Sequence, residues 1–229
     1  MRSIAVFGDS ISRGVTYDEG RERYIYLKDS FDKLIEAKGL YRFANRSRFG
    51  ATAMEGLAEL ELEASIDADI ALIQYGGNDC TPDWKAVAEN PLALHPARVR
   101  LEEFESTLTR FVTRLRAWGK APVLVTPPPL AAERFVPWIS RGLDAEAILR
   151  YLGDMHHVYR WQEQYALTVH KVARVTGCAL IDLRAWFLKD LDLGSLYCVD
   201  GMHPNRKGHQ VYAQAAENEL RLLDAAQGQ

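Results

Sequence analysis

The sequence predicts an α/β protein built as a doubly wound parallel sheet, and three observations carry that prediction. Short β-rich runs alternate with longer segments whose apolar residues recur at helical spacing. The β-rich runs are nearly continuous in apolar residues, as strands are when helices cover both faces. No repeat, low-complexity tract or Gly/Ser linker divides the 229 residues, so one domain over 1–229 is expected.

The elements follow in order. Ser3 to Gly8 reads as the first strand, Leu40 to Ala44 as a weaker second, Ala68 to Tyr75 as the third, Pro122 to Thr126 as the fourth and Cys178 to Leu183 as the fifth. Leu101, Phe104, Leu108, Phe111, Leu115 and Trp118 form the apolar stripe of a helix that Gly119 stops. Val158, Trp161, Tyr165, Val169 and Val172 repeat the pattern before Gly177, and Tyr212, Ala216, Leu220 and Leu223 repeat it at the C-terminus. Thr81-Pro82 reads as a helix start with Thr81 as N-cap, and Asn90-Pro91 as that helix's end. Thr126-Pro127-Pro128-Pro129 breaks the fourth strand and sends the chain out over the strand ends. The insertion from about 127 to 155 carries Phe135, Trp138, Ile139 and Tyr151, and serves as a lid, an acyl-pocket wall, a contact for a homo-oligomer, or simply a packed insertion.

Composition excludes several classes of function. The 28 basic and 31 acidic residues leave a net charge of −3, without bulk attraction for nucleic acid or an anionic membrane surface. No apolar run approaches the ~20 residues a bilayer span needs, and Ile4 to Phe7 is too short for a signal-peptide core, so no stable membrane association is expected. Cys80, Cys178 and Cys198 are widely spaced and match no zinc spacing, which suits a reducing cytoplasm and assigns them no chemistry. The adjacent His156 and His157 point apart on a helix and suit a shared metal poorly. With no Walker loop, GxGxxG or HExxH, no cofactor and no metal are implied.

Chemistry in a doubly wound sheet sits beyond the carboxyl ends of the strands, where three motifs fall. Gly8-Asp9-Ser10 puts a hydroxyl at the first strand-to-helix turn, as a nucleophile or as a helix cap. Gly76-Gly77-Asn78-Asp79 ends the neighbouring third strand; it is a turn by composition, but one that faces Ser10 across the crevice, where Asn78 can donate a hydrogen bond. Asp200-Gly201-Met202-His203-Pro204-Asn205 places an acid three residues before a base, so Asp200 can orient one imidazole nitrogen and leave the other for a serine. The bland alternative is a turn with Asn205 capping the next helix and His203 exposed. Gly50, after the second strand, either relieves a tight turn or lets its amide approach an oxyanion. His209 is a second histidine nearby, but the Asp200 spacing favours His203, and Asp182 reads as a cap or turn partner.

Taken in order, GDS at 8–10, Gly50, GGND at 76–79 and DGMH at 200–203 resemble the SGNH hydrolases, also called the GDSL esterase/lipase family. Ile11 stands where the family name has leucine, a conservative departure. The resemblance implies a flavodoxin-like three-layer α/β/α sandwich with a five-stranded parallel sheet. It implies a serine-dependent hydrolase that forms an acyl-enzyme on a small or carbohydrate-linked acyl ester. Ser10 would be the nucleophile, His203 the general base and acid, and Asp200 its orienting group. The backbone amides of Ser10 and Gly50 and the side chain of Asn78 would form the oxyanion hole. An acyl thioesterase or lysophospholipase with the same triad, and an inert flavodoxin-like binding module, are the alternatives. Because a histidine base must be neutral to act, activity is expected to rise with pH through roughly 6–7.

Overall fold

Every apolar run read from the sequence becomes a strand of one sheet. The computed structural model describes residues 1–227. In chain order the elements are β1 (Arg2–Gly8), α1 (Ser10–Arg13), β2 (Val15–Asp18), β3 (Arg23–Tyr26), α2 (Phe31–Glu36), β4 (Tyr41–Asn45), α3 (Ala53–Glu61), β5 (Ile70–Gln74) and α4 (Trp84–Glu89). They continue with α5 (Leu101–Ala117), β6 (Ala121–Val125), α6 (Ala132–Ile139), α7 (Ala145–Leu152), α8 (His157–Thr176), β7 (Ala179–Ile181), α9 (Leu183–Phe187), a 3-10 turn (Leu193–Leu196) and α10 (Arg206–Gln227).

The parallel sheet has five strands in the order β4-β1-β5-β6-β7. Numbering those strands alone gives 2-1-3-4-5, the flavodoxin-like order, whose switch point lies between β1 and β5. The pleat divides each strand between two cores. Ala5, Phe7, Ala71, Ile73 and Leu124 face α3, α5 and α8. Ile4, Val6, Ile70, Leu72, Val123 and Val125 face α2, α9 and α10. Burial on both faces is why these runs are apolar throughout, and each such side chain contributes ~1.5–3 kcal/mol. The 127–155 stretch forms α6 and α7, whose Phe135, Val136, Ile148 and Leu152 pack with Val87 of α4 and Val158 of α8 into a third cluster.

Two local readings change. The helix after GGND is capped by Asp83, whose carboxylate accepts from the Lys85 and Ala86 N–H groups, rather than by Thr81. Thr81 instead donates to the Gly77 carbonyl at 2.9 Å and tightens the preceding turn. The second change is an antiparallel hairpin, β2-β3, which stands outside the main sheet and pairs Tyr17 with Tyr24.

Candidate active site

The switch point brings the three motifs together. Strand β1 ends at Gly8, Asp9 caps α1 by accepting from the Ile11 N–H at 2.8 Å, and Ser10 is therefore the first helical residue at the crevice. A side chain at Gly8 would meet the Gln74 carbonyl and Ser12 at 2.9 Å, so β1 approaches β5 closely at this point.

The 200–205 segment is a tight turn held by its own acid. Asp200 Oδ1 accepts from the Met202 and His203 N–H groups, each at 3.0 Å, and Oδ2 lies 2.6 Å from His203 Nδ1. His203 Nε2 lies 2.8 Å from Ser10 Oγ. Gly201 has φ +68°, and a side chain there would strike the Ala131 carbonyl at 2.5 Å, so both backbone conformation and the approach of α6 require glycine. Asn205 does cap α10, accepting from the Lys207 and Gly208 N–H groups. The capping reading thus holds for Asn205, while His203, expected under it to be exposed, is buried beside Ser10 and Asp200.

Burial would push the Asp200 carboxyl up, but the His203 imidazole and the two backbone N–H groups outweigh it and hold the group below its ordinary value. Asp200 is therefore an anion beside an imidazole whose other nitrogen faces a hydroxyl. That is the geometry in which a serine can be deprotonated as it attacks.

Asn78 stands across the crevice. Its Nδ2 donates one hydrogen to the Ala51 carbonyl at 3.1 Å, which fixes the amide plane and leaves the second hydrogen free. The Asp79 side chain staples this turn to the start of α3, accepting from Ala53 N–H at 2.8 Å and Gly76 N–H at 2.9 Å. Gly50 has φ +74°, and a side chain there would meet no protein atom within 4 Å. Its turn conformation, rather than crowding by the protein, is what calls for glycine. The Gly50 carbonyl accepts from Arg98 at 3.1 Å, which secures the loop.

The sequence reading missed four features. Burial pushes the Asp9 carboxyl up to about 7 and the Asp79 carboxyl up to about 6, in each case against backbone N–H bonds that pull the other way. Tyr24, from the unanticipated hairpin, donates to Asp200 Oδ2 at 3.1 Å. Tyr24 and Phe49 also cover the His203 ring, with centroids at 5.0 and 5.9 Å, and Trp138 packs on Tyr24 and Tyr17. The hairpin's only sequence signal is the pair of aromatic, β-branched runs Val15-Thr16-Tyr17 and Tyr24-Ile25-Tyr26 around Gly20.

The remaining candidates are placed as follows. His209 is buried in α10, neither ring nitrogen has a hydrogen-bond partner among the described residues, and burial pushes it down to about 4. Asp182 caps α9, and His156 and His157 are exposed. The three cysteines are free and buried, and burial pushes Cys80 up to about 12 and Cys178 up to about 11. Among the described residues no group of three or more His, Cys, Asp or Glu side chains forms a metal site, and no helix is long and apolar enough to cross a membrane. The cleft over Ser10 is small, about 50 Å³, and is walled by Leu130, Phe135, Met202, Gln162 and Thr81.

At the switch point of a flavodoxin-like sheet, Ser10, His203 and Asp200 stand in one hydrogen-bonded line, an arrangement able to activate a serine hydroxyl for hydrolysis. The family model for GDSL-like lipase/acylhydrolases matches residues 6–211, and the chain belongs to that family of hydrolases. Among solved structures, the fold is similar to a lipase/acylhydrolase from Enterococcus faecalis (TM-score 0.68, 22% identity, 96% of this chain and 97% of that one). It is also similar to LAE5, an α/β hydrolase from the metagenome of Lake Arreo (TM-score 0.67, 23% identity, 95% and 94%). Axe2, an acetylxylan esterase from Geobacillus stearothermophilus, aligns with a TM-score of 0.67 at 22% identity over 95% and 93%. No curated protein sequence matches the chain.

Proposed function

We propose that this hydrolase is a serine esterase that cleaves small or carbohydrate-linked acyl esters through an acyl-enzyme. The observation that carries the reading is the continuous relay of Ser10 Oγ to His203 Nε2 at 2.8 Å and His203 Nδ1 to Asp200 at 2.6 Å. Ser10 Oγ attacks the acyl carbon while His203 takes its proton, and the former carbonyl oxygen becomes an oxyanion. The Ser10 and Gly50 backbone amides and the free N–H of Asn78 receive that charge. Collapse expels the alcohol, which leaves with the proton from His203. A water then attacks the acyl-enzyme with His203 as base, releasing the carboxylic acid and restoring Ser10.

The size of the cleft favours a short acyl group, because about 50 Å³ holds only a few water-sized spheres and is closed by Phe135 and Met202. The aromatic cluster of Tyr24, Phe49 and Trp138 beside His203 favours an alcohol with flat apolar faces, such as a sugar. The likeness to Axe2, an acetylxylan esterase, leans the same way. The three free cysteines favour a reducing, cytoplasmic setting.

The test is a panel of acetyl to palmitoyl esters, acyl thioesters and acetylated sugars, run with wild type and Ser10→Ala. The expected result is best turnover of acetyl substrates, lost by roughly 10³-fold or more in Ser10→Ala. Preference for long acyl chains or thioesters would replace the substrate reading. Undiminished turnover by Ser10→Ala would remove the mechanism.

A further inference from the structure

The hairpin that follows Ser10 folds back over Asp200 and His203 and meets them through the hydroxyl and ring of Tyr24. We propose that Tyr24 is a positioning residue, which fixes and partly neutralises the Asp200 carboxylate through its hydroxyl. The inference rests on the triad reading above and adds a residue to it.

Asp200 Oδ2 accepts two hydrogen bonds, from His203 Nδ1 at 2.6 Å and from Tyr24 Oη at 3.1 Å, while Oδ1 takes the two backbone N–H groups. Among the described residues, Tyr24 thus supplies the one donor to this carboxylate that comes from outside the 200–203 turn. The hydroxyl keeps its proton, because burial and the Asp200 charge raise it well above its ordinary value. The hairpin is docked on the same segment a second time, where Cys198 Sγ lies 2.9 Å from Thr16 Oγ1 and accepts from the Tyr17 N–H at 3.3 Å. Pairing of Tyr17 with Tyr24 then sets the reach of the hydroxyl. The Tyr24 ring also lies against His203, Phe49 and Trp138, so one side chain joins this aromatic cluster to the acid beside the base.

The electrostatic consequence has a definite sign. A donor on Oδ2 withdraws charge from the oxygen that faces His203 Nδ1–H. Removing it concentrates that charge and favours the protonated imidazole, so more base is held inactive at a given pH. Among the described residues, the titratable or charged groups near the pair include Cys198 on the same segment, Ser10 and Asp9 from the end of β1, Arg134 from α6 and His209 from α10. Arg134 is turned to the Tyr197 and Cys198 carbonyls. Among the described residues none of Cys198, Asp9, Arg134 or His209 hydrogen-bonds to the Asp200 carboxylate.

The test is Tyr24→Phe, which keeps the ring and its aromatic contacts and deletes only the hydroxyl, with kcat and KM measured on the best acetyl ester from pH 5 to 9. The expected result is a fall in kcat of roughly 3–10-fold with KM within about twofold, and an acid limb of kcat/KM displaced upward by about half a pH unit. Tyr24→Ala, which also removes the ring packed on His203, Phe49 and Trp138, is expected to raise KM in addition. Wild-type kcat and an unmoved acid limb in Tyr24→Phe overturn the inference, provided Ser10→Ala is inactive in the same assay. If Ser10→Ala is active, the triad reading itself has failed. A melting temperature of Tyr24→Phe close to wild type shows that the change in profile is not a loss of fold.

Discussion

Replacing Asn78 by alanine tests the oxyanion hole, and the structure sets the size of the effect. The carboxamide has two N–H donors, and one is committed to the Ala51 carbonyl at 3.1 Å. Only the other can meet the oxyanion, so Asn78→Ala removes a single donor from the transition state. One such donor is worth about 2.7–4 kcal/mol, so kcat should fall by roughly 10²–10³. The ground-state carbonyl carries little of the charge this N–H opposes, and KM should stay within about twofold. Folding should survive, because the half-buried side chain makes one protein hydrogen bond, worth about 1 kcal/mol. Asn78→Asp keeps the shape but turns a carboxylate toward the developing charge, and should lose more than the alanine variant. The assay is steady-state hydrolysis of an acetyl ester, with active sites titrated by a fluorophosphonate so that misfolded protein is not counted. An Asn78→Ala enzyme within about fivefold of wild-type kcat, or one impaired only in KM, would refute the assignment.

Asp9→Asn should remove a pH-dependent cost to stability. Because the folded Asp9 carboxyl titrates at about 7 against 3.8 when unperturbed, the folded state holds a proton between those values that the unfolded state has lost, and stability falls as pH rises through that window. The loss reaches at most about 4 kcal/mol, so urea midpoints of Asp9→Asn and wild type should diverge from pH 4.5 to 7.5, and parallel curves would count against it. His209, lowered to about 4, acts in the opposite sense, losing stability as pH falls below the free imidazole value, but it is common to both proteins and cancels. Phe135→Ala should join the cleft to the apolar pocket behind it, lined by Trp84, Val158 and Trp161, and shift preference toward longer acyl chains by roughly tenfold, at ~3–5 kcal/mol of stability. An unchanged chain-length profile in that variant would show that another wall sets the limit.

The sheet and the Asp200–His203 contact were legible in the sequence because each rests on a local pattern. Strands β1, β5 and β6 each hold four consecutive buried apolar residues, and the Asp200–His203 pair is announced by an acid and a base at a spacing one turn can close. What escaped depends on contacts across long stretches of chain. Tyr24 reaches Asp200 across 176 residues, and nothing around position 24 marks it as more than an aromatic in a short, half-exposed strand. The Thr81 reading failed for the converse reason. Two good caps compete within three residues, and Asp83 wins because the Thr81 hydroxyl already donates to Gly77. Asp9 reads as a candidate helix cap and Asp79 as a turn residue, which they are, but no local pattern in the sequence marks either carboxyl as buried.

Those two carboxyls bear on how the site functions as a whole. Each uses its oxygens to hold backbone amides: Asp9 takes Ile11 N–H and sets the turn that presents Ser10, and Asp79 takes Gly76 and Ala53 N–H and sets the turn that presents Asn78. Ionised, they grip those amides more firmly, yet burial makes ionisation costly, so a better-defined site near and above neutral pH coincides with a less stable fold. A histidine base acts in the same direction, since it must be neutral to accept a proton. Under the proposed mechanism, activity is therefore expected to rise with pH while stability falls. On that mechanism a fall in rate on the alkaline side at elevated temperature is expected to track unfolding driven by the staples beneath Ser10 and Asn78, and the acid limb is expected to track the proposed relay of Ser10, His203 and Asp200 with the Tyr24 hydroxyl.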